Sequence, residues 1–235
     1  VEFVQGRALT EADVHEAAAA GPESPLLAAI ARAIRQLHAA PVPPELTEFL
    51  AELRGPVGYA GPHFAKWLAY AEAEGFKRLP LLDGLREFVA RLEAAAGPPP
   101  EAEAPHFCHF DLLADNFVLQ PSGEVLLVDF EYSAPGHPLM DLAVLAMGCS
   151  LAPGEERNLL SSYLGEEAGP GQVYRFKALR VLAALRETLW GTTAELSRSS
   201  ALSQEEACAY VDMNYEKFMQ LRKEFEELEV PAGES

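Results

Sequence analysis

Residues 106–141 read HFCHFDLLADNFVLQPSGEVLLVDFEYSAPGHPLMD, and this segment contains the strongest structural signal in the chain. Two short apolar runs, 117–119 and 125–128, flank the turn-forming sequence Pro121-Ser122-Gly123, a pattern that predicts a β-hairpin. In an antiparallel pair, the residue before the first strand lies beside the residue after the second. The hairpin should therefore bring Asn116 and Asp129 together, although they are far apart in the sequence.

The polar side chains at the ends of this hairpin have the chemistry of a phosphoryl-transfer site. Asp111 precedes Asn116 by one tight loop, and its carboxylate can accept or orient the proton of an attacking hydroxyl. Asn116 and Asp129 offer the oxygen ligands that Mg²⁺ prefers. This layout is what phosphoryl transfer requires from one lobe of a kinase. The alternative is a plain hairpin, because aspartate, asparagine and glycine are common at strand ends.

A zinc site is a weaker interpretation of the same segment. His106, Cys108 and His109 lie close together in the sequence. However, side chains alternate between the two faces of a strand, which would point His106 and His109 in opposite directions. We therefore do not expect these histidines to share a metal ion.

Composition limits the possible classes of protein. The 235 residues are 49% hydrophobic, enough for a packed core in one domain or one large lobe. The net charge of −18 argues against binding to nucleic acid or anionic membranes, and fits a solvated acidic surface or the attraction of cationic small substrates. Three cysteines without a CxxC motif indicate a reducing compartment. With no membrane-spanning run or signal peptide in the sequence, we expect a cytoplasmic protein.

Helical signals dominate the remainder of the chain. Thr10 with Asp13 and Ser203 with Glu206 have the spacing of capping boxes, and Ser24 precedes a proline at a helix start. Apolar residues at helical spacing predict further helices over 64–71, 81–95, 139–149, 155–164 and 173–189. Residues 41–61 are rich in proline and glycine and predict an irregular insertion.

Several of these segments resemble the choline/ethanolamine kinase and aminoglycoside phosphotransferase (APH) superfamily. That superfamily has a catalytic loop of the form H-x-D-x-x-x-x-N and a metal-binding segment of the form D-[FW]-[EG]. The sequence DFEY at 129–132 is closest to choline and ethanolamine kinases. Shorter resemblances occur at RQLH (35–38), LWG (189–191) and YVDMNYEKF (210–218).

The resemblance implies a role for each matching residue. Asp111 would be the catalytic base, His109 would hold the catalytic loop, and Asp141 would brace that loop from the following helix. Asn116 and Asp129 would bind Mg²⁺, with ATP as the co-substrate.

The fold that the resemblance implies is mainly α with a small β-hairpin, namely the C-terminal lobe of a protein-kinase-like fold without its N-terminal nucleotide lobe. Residues 1–8 resemble the hinge after that lobe, and the sequence contains neither a Gly-rich phosphate loop nor a strand lysine. The resemblance leaves open whether that lobe is truncated, lost or supplied by another chain, and in the last case it would be a partner of this chain. The expected regions of the 1–235 lobe are a helical part (9–96, with the insertion 41–61), the catalytic and metal-binding hairpin (105–141) and a helical substrate-side subdomain (142–230).

The aromatic residues of the substrate region match choline kinases only in part. Those enzymes hold a quaternary ammonium group against aromatic faces and a carboxylate. Glu131, Tyr132 and Trp190 are the expected substrate-binding residues, although either ring could instead be a packing aromatic. Three positions depart from the choline-kinase pattern, namely Gly148, Thr193 and Met213.

The expected function is therefore ATP-dependent phosphotransfer to a small amino alcohol of the choline or ethanolamine type. One alternative is an APH-family kinase for another hydroxyl substrate, such as an aminoglycoside, a sugar or thiamine. Another is a non-catalytic binding or scaffold lobe that lacks its nucleotide lobe. The retained Asp111, Asn116 and Asp129 favour a catalytic lobe, although this chain alone should be inactive or weakly active.

Overall fold

A computed structural model describes residues 5–41, 45, 61–78, 84–98, 106–196 and 203–231. Within these ranges the helices are α1 (Glu11–Ala19), α2 (Pro25–His38), α3 (Gly61–Ala73), α4 (Leu85–Ala96), α5 (Pro138–Gly148), α6 (Pro153–Leu164), α7 (Pro170–Leu196) and α8 (Gln204–Glu226). The strands are β1 (Arg7–Ala8), β2 (Phe107–Cys108), β3 (Phe117–Leu119), β4 (Val125–Leu127) and β5 (Ala134–Pro135). The prediction of a mainly helical, kinase-like lobe is confirmed.

The helix caps follow the sequence signals. The Asp13 amide donates to Thr10 Oγ1 at 3.2 Å, while Asp13 Oδ2 accepts from the Thr10 amide at 2.8 Å. Ser203 caps α8 in the same reciprocal way with Glu206, and Ser24 caps α2. Each cap pairs backbone groups that the first turn of a helix leaves without partners. All three predicted helix starts are thus confirmed.

The predicted hairpin is present, but the sheet is larger than expected. β3 pairs with β4 in the register Phe117↔Leu127, and Gly123 supplies the left-handed conformation of the turn at φ +86°. β1 adds a third strand through the pairs Arg7↔Leu119 and Ala8↔Val118. β2 and β5 form a second, two-stranded sheet. Both additional pairings join segments that are distant in the sequence.

α7 is the central helix of the core. Its buried residues include a run of leucines that is fully shielded from solvent, Leu179, Leu182, Leu185 and Leu189. α4, α5 and α8 pack against it, and α5 is itself buried along almost its whole length. A helix that is apolar all round belongs inside a core, so α5 brings Asp141 into the interior of the molecule.

Two predicted boundaries differ from the structure. The helix predicted from residue 81 begins at Leu85, after Gly84 with a left-handed φ of +68°; residues 81–83 lie outside the described ranges. The irregular insertion was expected to extend through residue 61, but Gly61 is the first residue of α3. Residues 42–44 and 46–60 lie outside the described ranges. None of the described helices is long and apolar enough to cross a membrane.

Candidate active site

Asp141 is connected to the catalytic loop by paired hydrogen bonds. Its Oδ2 accepts from the His109 amide at 2.8 Å and its Oδ1 accepts from the Phe110 amide at 2.7 Å. The Asp141 side chain is fully buried in α5. A buried carboxylate that receives several donors is strongly oriented, because breaking any of these bonds leaves a buried polar group unpaired. The loop that carries Asp111 is therefore held against the core.

The Phe110 backbone has a left-handed conformation, with φ +62°. Its ring lies so close to Gly136 that a Cβ atom at residue 136 would be 2.2 Å from Phe110 Cζ. Arg186 from α7 donates to the Phe110 carbonyl oxygen. An unfavourable φ persists only where the surroundings impose it, and here α5, α7 and the Gly136 segment all contact the residue that precedes Asp111.

His109 and His106 have separate partners. The buried His109 ring donates from Nε2 to the Val128 carbonyl oxygen at 2.8 Å, and the Phe130 ring lies 4.9 Å away between centroids. His106 Nδ1 lies 3.3 Å from the carbonyl oxygen of His38. His109 therefore joins the catalytic loop to the end of β4 rather than to His106.

Asp111 lies in a charged and partly shielded environment. Burial is the largest influence and raises the pKa of its carboxyl group, whereas the Arg186 guanidinium opposes this effect. The charges of Glu187 and Asp129 raise the pKa further, while His109 lowers it. The net direction of the shift in the pKa of Asp111 is upward. Arg186 of α7 donates to the Phe110 carbonyl oxygen and His109 contacts the Val128 carbonyl oxygen, so the catalytic loop, the end of β4 and α7 meet beside Asp111.

Asn116 and Asp129 lie at the open end of the hairpin. The Val128 amide donates to the Asn116 carbonyl oxygen at 3.1 Å, which sets Asp129 beside Asn116 along the backbone. Asn116 Nδ2 donates to the Asp111 carbonyl oxygen at 2.7 Å, so its amide oxygen remains an acceptor. Asp129 is exposed and has a left-handed φ of +64°. An amide oxygen and a solvent-facing carboxylate are a donor set that fits Mg²⁺ with its retained waters.

The predicted substrate residues come from two elements. Glu131 and Tyr132 are exposed on the 3₁₀ turn at 130–132, whereas Trp190 is half-buried on α7. The Trp190 ring meets the Tyr210 ring of α8 edge to face, with centroids 5.2 Å apart. Met213, which replaces a ring in the resemblance to choline kinases, is 53% exposed.

Three residues of this region were missed as site candidates, Arg186, Glu187 and Tyr210. Tyr210 donates from its hydroxyl to Glu187 Oε2 at 2.7 Å, and Arg186 Nη2 contacts Glu187 Oε1 at the same distance. Glu187 lies one helical turn before Trp190, a spacing that places both on one side of α7. That spacing was visible in the sequence, but the approach of Tyr210 depends on how α7 and α8 pack.

A buried trio, His38, Cys108 and Asp141, has ligand atoms within 4.8 Å of one another. Both His38 nitrogens already have partners, at 2.8 Å and 2.9 Å, and Asp141 accepts from two backbone amides. Burial raises the pKa of the Cys108 thiol well above its ordinary value, so it stays neutral. A metal would have to displace these hydrogen bonds, and the trio is therefore a hydrogen-bonded cluster.

A cavity of about 590 Å³ lies elsewhere, between α2 and α6. Its lining includes Arg35, Arg157 and Glu166 but none of the residues around Asp111. The convergence of charged groups, rather than the size of this cavity, identifies the candidate active site.

A family model described as "Phosphotransferase enzyme family" (APH) matches residues 1–188, which is most of the chain. No curated protein matches the sequence significantly. Among solved structures, the chain is similar to an ethanolamine kinase from Plasmodium vivax, with a TM-score of 0.70 and 19% identity. The match covers 91% of this chain and 63% of that protein, so this chain spans less than two thirds of its length.

A choline/ethanolamine kinase family protein from Mesorhizobium loti is similar at a TM-score of 0.62 and 22% identity, over 95% of this chain and 70% of that one. A putative aminoglycoside phosphotransferase from Ralstonia eutropha matches at a TM-score of 0.65 and 18% identity, over 95% and 72% respectively. At these identities the likeness shows the fold alone. The family resemblance of the sequence is confirmed by the family match: the chain belongs to the phosphotransferase enzyme family.

Proposed function

We propose that this chain is the catalytic lobe of a small-molecule kinase that transfers the γ-phosphoryl group of ATP to the hydroxyl of a small amino alcohol. The observation that carries the proposal is the position of the half-buried Asp111 carboxyl group. Asp141 holds its loop through two hydrogen bonds, and the charges of Asp129 and Arg186 act on the carboxyl group itself. Similar solved structures include an ethanolamine kinase and a choline/ethanolamine kinase family protein, which supports this substrate class.

In the proposed reaction Asp111 orients the acceptor hydroxyl and takes its proton. The acceptor oxygen forms a bond to the γ-phosphorus while the bond to the β–γ bridging oxygen breaks, and ADP leaves. Positioning matters as much as basicity here, because the reacting atoms must meet in line. His109 and Asp141 are the residues that hold Asp111 in place, through Val128 and the two loop amides.

Asn116 and Asp129 are the proposed ligands of Mg²⁺. When bound, the ion would neutralise charge on the nucleotide phosphates. Asn116 also connects to the catalytic loop, because its Nδ2 donates to the Asp111 carbonyl oxygen. A shift of the metal ligand would therefore also disturb the base.

The acceptor's cationic end is proposed to bind beside Glu187, Trp190 and Tyr210. A carboxylate with two ring faces is a suitable environment for an ammonium group, with each cation–π contact contributing about 0.5–2 kcal/mol. Glu187 influences the pKa of Asp111, which places the two groups within electrostatic reach. Tyr132 and Glu131, on the 3₁₀ turn after Asp129, are proposed to form the opposite side of the acceptor-binding site.

A kinase for a different hydroxyl compound is the second candidate. It is favoured by Thr193 and the exposed Met213, which stand where choline kinases have rings. Methionine is apolar and polarizable but has no π face. Aminoglycosides, which carry several ammonium groups, would instead use carboxylates such as Glu131 and Glu187. A non-catalytic binding lobe remains the third alternative.

Paired substitutions test the proposed roles in the full-length protein. Asp111→Asn keeps the shape but removes the base, and should lower kcat by about 10²–10⁴-fold without rescue by Mg²⁺. Asp129→Asn should raise the Mg²⁺ requirement and be partly rescued at high Mg²⁺. Phosphotransfer from ATP to ethanolamine, choline and an aminoglycoside, measured over a Mg²⁺ series, separates the two effects.

Asp115→Asn is the matched control, because Asp115 is an exposed aspartate on the 3₁₀ turn at 114–116, between Asp111 and the hairpin, and should leave kcat unchanged. Near-parental kcat in Asp111→Asn, or its full recovery with added Mg²⁺, would refute the base assignment. A strong preference for the aminoglycoside would select the second candidate, and no turnover of any acceptor by the parent would select the non-catalytic lobe.

A further inference from the structure

The His38 ring, at the C-terminal end of α2, connects two helices that are distant in the sequence. Its Nε2 lies 2.9 Å from Asp141 Oδ2 in α5, and its Nδ1 lies 2.8 Å from the Tyr163 hydroxyl in α6. The ring is buried, and the Tyr163 ring meets it edge to face at 5.6 Å. Each nitrogen of this buried ring thus has one specific partner.

The partners determine which nitrogen carries the proton. Asp141 already accepts from the His109 and Phe110 amides, so its oxygens face His38 as acceptors and Nε2 must donate. Nδ1 of a neutral imidazole then has a lone pair, which the Tyr163 hydroxyl can satisfy only by donating. Burial raises the pKa of Tyr163, so that hydroxyl keeps its proton.

The other groups around His38 do not compete for Nδ1. His106 faces the ring at 6.4 Å between centroids and uses its own Nδ1 on the His38 carbonyl oxygen. The neutral Cys108 thiol contacts the His106 carbonyl oxygen at 3.9 Å. Arg35 donates to the carbonyl oxygens of residues 162 and 163, which fixes the end of α6 on α2 and keeps the Tyr163 hydroxyl at His38.

We infer that Tyr163 is a positioning residue, whose hydroxyl donates to the Nδ1 lone pair of His38 and thereby holds the ring on Asp141 and Asp141 on the catalytic loop. The opposite tautomer would turn the lone pair of Nε2 toward an Asp141 oxygen, and the two acceptors would repel. Asp141 would then shift away from the amides of His109 and Phe110. The contacts from Tyr163 through His38 to Asp141 extend the support of the loop from α5 to α6. Only the effect of these contacts on catalysis rests on the proposed function.

Nuclear magnetic resonance of this chain tests the inference without ATP or an acceptor. Long-range ¹H–¹⁵N spectra distinguish the two tautomers, and His38→Asn assigns the His38 signals among the six histidines. The parent should show His38 with its proton on Nε2. Tyr163→Phe keeps the ring but leaves the buried Nδ1 of His38 without a donor, while Asp141 still requires the proton on Nε2. The variant should loosen His38 on Asp141 and give about five- to tenfold faster exchange of the His109 and Phe110 amides, the effect of losing roughly one hydrogen bond.

Tyr174→Phe is the matched control, because Tyr174 is a half-buried tyrosine that packs on Phe225, with ring centroids 5.2 Å apart. It should change neither the tautomer nor the two amides. A proton on Nδ1 in the parent overturns the inference even if Tyr163→Phe does not fold. So does a folded Tyr163→Phe variant in which the His109 and Phe110 amides exchange at the parental rate. If the spectra are as expected but no phosphotransfer is observed, that result counts against the proposed function and not against this inference.

Discussion

At the scale of single residues, Asp111 is the proposed catalytic base and also lowers the stability of the fold. Burial raises the pKa of its carboxyl group above its ordinary value of 3.8, so the folded chain holds this proton more tightly than the unfolded chain does. Between pH 3.8 and the raised pKa of Asp111, the folded state binds more protons than the unfolded state. The stability of the folded state therefore falls as pH rises through that window. At neutral pH the ionised carboxylate is a destabilising group.

We therefore predict that Asp111→Asn makes the chain more resistant to urea at pH 7 than the parent, because it replaces a partly buried charge with a neutral group. The advantage should shrink as pH falls and vanish below about pH 4, where the parent carboxyl is protonated in both states. Urea unfolding from pH 3.5 to pH 7.5 measures the difference. Exposed Asp115→Asn should not show this pattern, and a parent that is the more stable protein at pH 7 would contradict the prediction.

The negative charge of Glu187 should favour a cationic acceptor over a neutral one. Glu187→Gln keeps a partner for the Tyr210 hydroxyl but removes the negative charge. We expect KM for a cationic amino alcohol to rise about 10- to 100-fold with little change in kcat, the effect of losing a charge-assisted contact of roughly 1.5–3 kcal/mol. Steady-state kinetics with the cationic acceptor and a neutral alcohol of similar shape measure this.

Glu195→Gln provides the comparison for that experiment. Glu195 lies further along the same helix, is similarly shielded, and pairs with Arg78 rather than with Tyr210. Its substitution should leave KM unchanged. Equal losses for the cationic and neutral acceptors in Glu187→Gln would show that the charge of Glu187 does not select the substrate.

The site was predictable from the sequence wherever it depends on local structure. Asp111, Asn116 and Asp129 follow from a loop and a hairpin, whose turn and strands are encoded within a few residues of one another. Glu187 and Tyr210 were not identified, because their hydrogen bond forms only once α7 and α8 pack. Nor could a sequence pattern reveal the contact between Tyr163 and His38, which are 125 residues apart.

At the scale of secondary-structure elements, α7 and α8 approach each other closely at Gly191. A Cβ atom there would lie 2.8 Å from Val211 Cγ2 and 2.9 Å from Tyr210 Cδ1. Gly191 follows Trp190 directly, so the close approach and the aromatic pair of Trp190 and Tyr210 occur at the same point. The glycine of the LWG segment thus has a packing role in this chain.

Gly191→Ala should destabilise the chain by about 1–3 kcal/mol, because the added methyl group overfills a packed helix interface. It should also disturb the Trp190–Tyr210 pair and change tryptophan fluorescence. Gly154→Ala is the control, since Gly154 lies in the first turn of α6, where no described atom is within 4 Å of the position that the added methyl group would occupy. Thermal unfolding compares the two, and equal stability of both variants would contradict the close approach.

The helices were predictable with near-correct ends, whereas most strand pairs were not. Capping boxes and apolar spacing are local signals, and they located α1, α2 and α8. β1, β2 and β5 have two residues each, too few to show the alternation that identifies a strand. Their existence depends on partners that folding brings together, such as β3 for β1.

At the scale of the whole molecule, the chain contains the proposed catalytic groups but no recognisable sequence motif for a cradle around nucleotide phosphates. We predict that this chain alone unfolds cooperatively but binds ATP with Mg²⁺ more weakly than about 1 mM, because a backbone cradle and a lysine supply much of that affinity in kinases. Calorimetric titration with ATP and Mg²⁺ measures this. Sub-millimolar affinity that is lost in Asp129→Asn would show that the lobe binds nucleotide by itself.

The position of Glu187 and Trp190 on α7 has a consequence for how the proposed acceptor preference could change. Their helix is the most central in the core, so its backbone cannot move without disturbing α4, α5 and α8. Only the side chains that α7 turns toward the site, including the half-buried Thr193, can vary without moving that backbone. New acceptor preferences should therefore arise by point substitution at 187, 190 and 193 rather than by remodelling of loops, and a small combinatorial library at these three codons would sample most of the accessible change.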